Sequence, residues 1–341
     1  MKKILVVCAA ILTLHSLPLL AQEAEDAGST GVSLSVIPRL DLSPEFYNDG
    51  SGEFTFGNSS LYTLFEGNIS ENLSFSVCNH WASLYGKDPF GQETKDLYNH
   101  TFWRSDTSNW LDWAYLEYTT GPLTFTLGKN VMLTGGLEYD ADDWEIHPIL
   151  ASSFWNSFAG YQWGGRIGYE FLEDNEFNIE VSTSPYGERP FSSGLYSFSA
   201  GWYGSIGFWQ PKWTFSAIQT GVDDNKIEPF ICFGNRFDFG SLVLGCDLSN
   251  RVGNEALILT KGSTALCSAI WDLSENYEFY GKLGYEKMSD LDVDNWIVGG
   301  AFHWYPFGGE RELRVHLYAG YNSLWETTTV GLGVLYNLNL L

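Results

Sequence analysis

Six basic residues sit in strand-like stretches where they alternate with apolar neighbours, an arrangement suited to attracting and hydrogen-bonding a solute that passes along one face. Arg166 is opposite in parity to Tyr161, Trp163, Ile167 and Tyr169, and Arg39 opposes Val32, Leu34 and Val36. Arg314 and His316 alternate with Leu313, Val315 and Leu317, and Arg236 and Lys282 follow the same rule. Successive side chains of a strand point to opposite faces, so each base is expected on the face away from the apolar residues. A guanidinium at ~4 Å from a charged solute acts with about 4 kcal/mol at an effective dielectric near 20, whereas exposed charges are screened beyond ~8 Å in physiological salt. Local lining therefore outweighs total charge. The opposing reading pairs each base with an acid of the same face, such as Glu170, Asp247 or Glu286, and gives it a rigidifying role.

Residues so placed need strands with one wet and one greasy face. Fourteen tryptophans, nineteen tyrosines and twenty-three phenylalanines are spread over alternating stretches from about Val32 to Leu341. A period of two, repeated in segments of roughly ten residues between turns, is the signature of a transmembrane β-barrel. Ser70-Glu71-Asn72, Gly121-Pro122, Glu173 to Glu176, Gln210-Pro211-Lys212, Asp238 to Gly240, Ser274-Glu275-Asn276 and Pro306 to Glu310 read as tight turns. Longer polar segments alternate with them, near 43–58, 86–109, 131–153, 185–193, 221–225, 250–257, 288–292 and 322–326. Short periplasmic turns and longer extracellular loops are the asymmetry of an outer-membrane barrel.

The expected fold is all-β, a transmembrane antiparallel barrel of about sixteen strands, wide enough to leave an aqueous lumen. No run after Ala21 approaches the ~20 apolar residues of a membrane-spanning helix, and only helices and closed barrels satisfy their backbone groups in lipid. A secreted sandwich or propeller also has many short strands. Against it stand an aromatic content of 16% and the clustering of Trp209, Trp213, Trp271, Tyr277, Trp304 and Tyr305 beside short turns, as in an interfacial girdle.

Met1-Lys2-Lys3, the apolar run Ile4 to Leu14 and Leu17-Pro18-Leu19-Leu20-Ala21 read as a secretory signal peptide over 1–21, leaving 22–341 as the barrel. Without Lys2 and Lys3, 16 bases face 42 acids, a formal charge of −26. Such a chain repels phosphate backbones, which excludes nucleic acid as a partner. Acids gather at Glu138 to Glu145, Asp223-Asp224 and Asp290 to Asp294, loops that are either simply solvated or meet divalent cations at a lipopolysaccharide surface. Cys78, Cys232, Cys246 and Cys267 match no zinc or redox spacing, and no metal or cofactor is implied. Parity sets Cys232 inward beside Asp247 and Cys246 outward with Leu242 and Leu244, so free thiols are expected.

The strand Trp110 to Tyr118, the turn Gly121-Pro122, the strand Leu123 to Lys129 and Gly135-Gly136-Leu137-Glu138 resemble the phosphate-selective porin O and P family. The shared features are an Asp-x-Ala-Tyr-Leu strand, a tight turn, and a strand ending in Gly-Lys before a Gly-Leu-Glu loop. The resemblance implies a sixteen-stranded, usually trimeric diffusion channel for anions such as phosphate, with Lys129 at the mouth of a constriction. In such porins the third extracellular loop folds into the lumen. Here the segment is Val131 to Ser153, carrying Glu138, Tyr139, Asp140, Asp142, Asp143, Trp144, Glu145 and His147, with Trp155 just beyond. The last strand, Val330 to Leu341, resembles the signal read by barrel-assembly machinery, with Leu341 where Phe is common.

The sequence thus describes a bacterial outer-membrane porin for passive diffusion of small hydrophilic solutes. Its expected partners are outer-membrane lipid and lipopolysaccharide, the assembly machinery, and two further copies in a homotrimer. One alternative is a sugar channel in which Trp144, Trp155 and Tyr139 stack on pyranose rings. A barrel enzyme would need a nucleophile beside His80, His100, His147, His303 or His316, where no distinctive spacing exists. A non-conducting structural or adhesive barrel would need a plug.

Overall fold

Alternation of residue type along the chain becomes alternation of wall faces. The computed structural model describes residues 31–55, 59–84, 111–133, 136–141, 144–153, 155, 160–187, 191–220, 226–251, 262–287 and 293–341. Its strands are β1 (Val32–Tyr47), β2 (Gly52–Thr55), β3 (Ser59–Ser70), β4 (Leu73–Leu84), β5 (Leu111–Thr120), β6 (Leu123–Val131), β7 (Tyr161–Leu172), β8 (Asn175–Thr183) and β9 (Tyr196–Tyr203). There follow β10 (Trp209–Gln219), β11 (Ile227–Asp238), β12 (Leu242–Arg251), β13 (Ser263–Ser274), β14 (Tyr277–Lys287), β15 (Asp294–Trp304), β16 (Leu313–Asn322), β17 (Thr327–Tyr336) and β18 (Leu338–Asn339). β1 closes the circle by pairing with β17 on one side, Arg39 opposite Leu335, and with β3 on the other, Ile37 opposite Tyr62. β2 and β18 only extend the edges of β1. The wall is a closed antiparallel barrel of sixteen long strands, which leaves no open edge.

β17 shows why the pattern folds this way. Val330, Leu332 and Val334 are exposed on the outside, while Thr327, Thr329 and Leu335 are buried inside. The same exposed apolar belt continues through Phe177, Ile179 and Val181 on β8 and Trp296, Val298 and Phe302 on β15, a surface that only a nonpolar solvent matches. At the short-turn end Trp202, Trp209 and Trp213 form an outward aromatic group with ring centroids 5.3–6.1 Å apart. The Trp209 and Trp213 indoles both donate to Asn235 Oδ1.

Two expected boundaries shift. The strand expected after the polar segment 131–153 begins at Tyr161, and Ser153 ahead of it is bonded to the inward Glu286. Gln210-Pro211-Lys212 is not a turn: all three lie within β10, and the hairpin reverses earlier, between Ile206 and Trp209. Gly207, at φ +61°, occupies the first central position, where a two-residue hairpin of the type II′ kind wants glycine. Pro211 lacks an amide hydrogen but still accepts from the Gly204 N–H at 3.0 Å. The leader expected over 1–21 lies outside the described residues, as do His100 and the acidic pair Asp223-Asp224.

Candidate functional site

The connection from β6 to β7 turns into the barrel. Its two one-turn 3-10 segments, Leu137–Asp140 and Pro148–Leu150, sit among inward-facing side chains. Three apolar contacts dock it. Trp144 packs with Ile37, Tyr62, Cys78 and Leu335; Ile149 and Leu150 pack with Ile297, Ala301 and Tyr318; Met132 packs with Ile218, Phe230 and Cys232, with Tyr139 at the margin. These wall residues lie on β1, β3, β4, β10, β11, β15, β16 and β17, so the loop is held around most of the circumference. Residues 134, 135, 142, 143, 154 and 156–159, Asp142 and Asp143 among them, are outside the described set.

Polar wall side chains finish the docking. Asp247 accepts the amides of Leu137 and Glu138, each at 2.9 Å, and Glu286 accepts the amide and hydroxyl of Ser153. Glu138 takes the Lys282 ammonium at 2.5 Å and also the Ser152 amide. Arg39 donates to the carbonyls of Trp144 and Ile146 at 2.6 and 2.8 Å while its fork grips Asp41. Arg314 is paired with Glu145, and Arg166 spans Glu180 and the Val131 carbonyl. Glu138 and Glu145, which the sequence offered both as part of a solvated acidic run and as part of an inward third loop, are interior groups.

Strand register builds the densest part of the site. Asp272, Glu278, His303, His316, Gly333 and Asp41 are successive cross-strand partners from β13 around to β1. His316 Nε2 donates to Asp41 at 2.9 Å and His303 Nδ1 donates to Glu278 at 2.8 Å, since a carboxylate only accepts. Arg311 bridges Glu278 and Asp272 at the row's end. From the loop, His147 stacks on Tyr318 at 4.3 Å, its ring 5.3 Å from His316 and 5.9 Å from His303. A guanidinium only donates, so the 3.0 Å contact of Arg39 Nη2 with His147 Nδ1 fixes a neutral imidazole protonated at Nε2. Burial, reinforced by the nearby positive charge of Arg39, holds this loop histidine well below its ordinary pKa.

Asp41, His147 and His316 offer three ligand atoms within 4.8 Å of one another, the donor set of a metal site. Arg39 Nη2 already occupies the bridge between Asp41 and His147, with Arg314 close by on β16, and this positive charge opposes a cation there.

Gly333 makes room in this row. A Cβ at that position would collide with Asp41 Oδ1 and His316 Nε2. Gly333→Ala is expected to lower barrel stability by about 1–3 kcal/mol, the usual cost of overpacking. Urea titration of the lipid-embedded barrel measures it, and an unchanged midpoint would refute the crowding.

The bases expected to meet solute have distinct placements. Arg39, Arg166, Lys282, Arg314 and His316 all point inward, and each is engaged with an acid: Asp41, Glu180, Glu138, Glu145 and Asp41 respectively. Arg236 also points inward, keeps its side chain 44% exposed, and stands 3.8 Å from Asp238. Lys129 instead shares the register parity of outward Phe125 and Leu127 and turns its ammonium to the Leu111 carbonyl. Trp144 and Trp155 are 6% and 7% exposed, so neither indole offers a face to a sugar in this arrangement. The residues that parity could have revealed but did not are Asp41, two positions from Arg39, and Glu278 and His303 on the same belt.

Beside the docked loop a cavity of about 340 Å³ remains, lined by Glu138, Glu145, Asp247 and Glu278 against Arg236 and Lys282, with His147 and His303 between. Val243 and Ile270 continue its lining toward the short-turn end.

No family model and no curated protein matches this sequence. Solved structures do. A substituted form of the Rh. blastica porin superposes with a TM-score of 0.57 at 12% identity, covering 90% of this chain and 100% of that one. The loop-deleted OmpT, an outer membrane protein of Vibrio cholerae, superposes with a TM-score of 0.55 at 12% identity over 90% of this chain and 99% of its own. The chain thus shares the porin barrel fold.

Proposed function

We propose that this protein is an outer-membrane porin through which small hydrophilic solutes diffuse passively past the docked β6–β7 loop. The observation that carries the reading is the cavity, lined in part by charged side chains, left between that loop and the β11–β15 wall of a sixteen-stranded barrel. The fold shared with the Rh. blastica porin and with the Vibrio outer membrane protein supports it. The Asp41–His316 pair has no exposed side-chain surface, so it does not face the cavity as an acid–base pair for a substrate. Lipopolysaccharide, the assembly machinery and two further copies of the chain are the partners this reading entails.

Selectivity follows from the lining. The motif resemblance argues for anions such as phosphate, but of the four carboxylates lining the cavity Glu138 is paired with Lys282, Glu145 with Arg314 and Glu278 with Arg311, and Arg236 stands beside Asp238, which leaves Asp247 as the lining carboxylate without a paired base. Confined charges act at low effective dielectric, so the local excess decides. The expected result in a planar bilayer is stepwise ion conductance whose reversal potential in a salt gradient has the sign of cation preference. Anion preference would restore the phosphate reading, and a silent membrane would favour a structural barrel closed by its own loop.

A further inference from the structure

Cys246 on β12 and Cys267 on β13 are direct register partners, and their sulfurs stand 3.7 Å apart. Their neighbours fix the face they share. Asp247 binds loop amides inside the barrel and Leu266 lines the cavity, so the residues one step along each strand point outward, beside the exposed Leu244 and Trp271. Cys78 and Cys232 are inward and buried in two separate apolar clusters.

We propose that Cys246 and Cys267 are a cross-strand disulfide site on the lipid-facing wall. Opposed residues of antiparallel strands have Cα atoms about 4.5–5.5 Å apart, within the roughly 4.4–6.8 Å that a disulfide spans, so side-chain rotation suffices to close the bond. The oxidant is a protein of the thiol–disulfide oxidoreductase class, which the exported location proposed above supplies. One cysteine thiolate attacks the oxidoreductase disulfide, giving a mixed disulfide and releasing one of its thiolates. The second cysteine then attacks the sulfur of the first and expels the oxidoreductase as a dithiol. Two electrons pass to the oxidant, and the two thiol protons of the substrate are balanced by the two taken up on the dithiol.

A bare thiolate is costly in hydrocarbon, so the exchange precedes immersion of the strands, and immersion then shields the bond from hydrophilic reductants. Its place matters for the site. On the inner side of the same position Asp247 anchors the loop through Leu137 and Glu138, so the bond locks β12 to β13 where the loop pulls on the wall.

The test refolds the mature chain in detergent with a reduced and oxidised glutathione couple, then denatures, alkylates and maps it by mass spectrometry. Two alkyl adducts are expected in place of four, together with a linked peptide pair containing Cys246 and Cys267 that is lighter by two hydrogens. Cys267→Ser should lose the linked pair and carry three adducts while keeping heat-modifiable migration, which shows that it folds; Cys78→Ser should keep the pair. Four adducts in the folded protein, or a link to Cys78 or Cys232, overturns the proposal. Refolding chemistry is independent of where the cell sends the chain, so a linked protein found by fractionation outside the outer membrane counts against the porin reading alone.

Discussion

Arg39→Ala should cost the barrel about 3–5 kcal/mol, the penalty for removing one partner of a buried ion pair. The Arg39 and Asp41 side chains are 2% and 0% exposed. Without the guanidinium the Asp41 carboxylate keeps His316 but loses its fork, and the Trp144 and Ile146 carbonyls lose their donors. His147 loses the hydrogen bond that fixes its tautomer. Urea titration in lipid vesicles reads the stability, and single-channel recording should show larger, noisier openings as the loop lifts. Arg39→Lys restores the charge without the planar fork and should fall between the two. A variant within about 0.5 kcal/mol of the parent would mean that the loop is held without Arg39.

Trp144→Ala should act on the loop while sparing the wall. The indole lies 5.1 Å from the Tyr62 ring and 6.0 Å from Trp113, within a cluster that includes Ile37 and Leu335. Truncating a buried tryptophan costs about 3–5 kcal/mol. None of the strand ladder depends on this side chain, so the loss falls on the docked-to-undocked equilibrium. At about 1.4 kcal/mol for each factor of ten, that shifts the ratio by more than a hundredfold. Conductance should rise while heat-modifiable migration and the unfolding midpoint stay close to those of the parent. A fall in the midpoint with no change in conductance would assign Trp144 to the wall.

The two substitutions separate contributions that the sequence presents as one. Arg39 belongs to a strand and also reaches the loop, whereas Trp144 belongs to the loop and packs against β1, β3, β4, β5 and β17.

What the sequence determined by itself is the wall and the direction of its side chains. Period-two alternation is local: once Val330, Leu332 and Val334 face lipid, Thr329 and Leu335 must face inward, wherever the neighbouring strand lies. Arg39, Arg166, Arg314 and His316 were legible as inward for that reason, and Cys246 as outward. Partner identity was not legible, because it depends on register between strands and on a segment that crosses the lumen. Glu170 is near Arg166 in sequence, but the β7–β8 register sets Glu180 opposite it. Glu286 is near Lys282 on the same strand, yet the lysine reaches Glu138 on the loop, 144 residues away in sequence, and Glu286 takes Ser153 instead. Tertiary structure alone decided that the inward charges are spent holding the loop, because burial in the lumen penalises any charge or backbone group left without a partner.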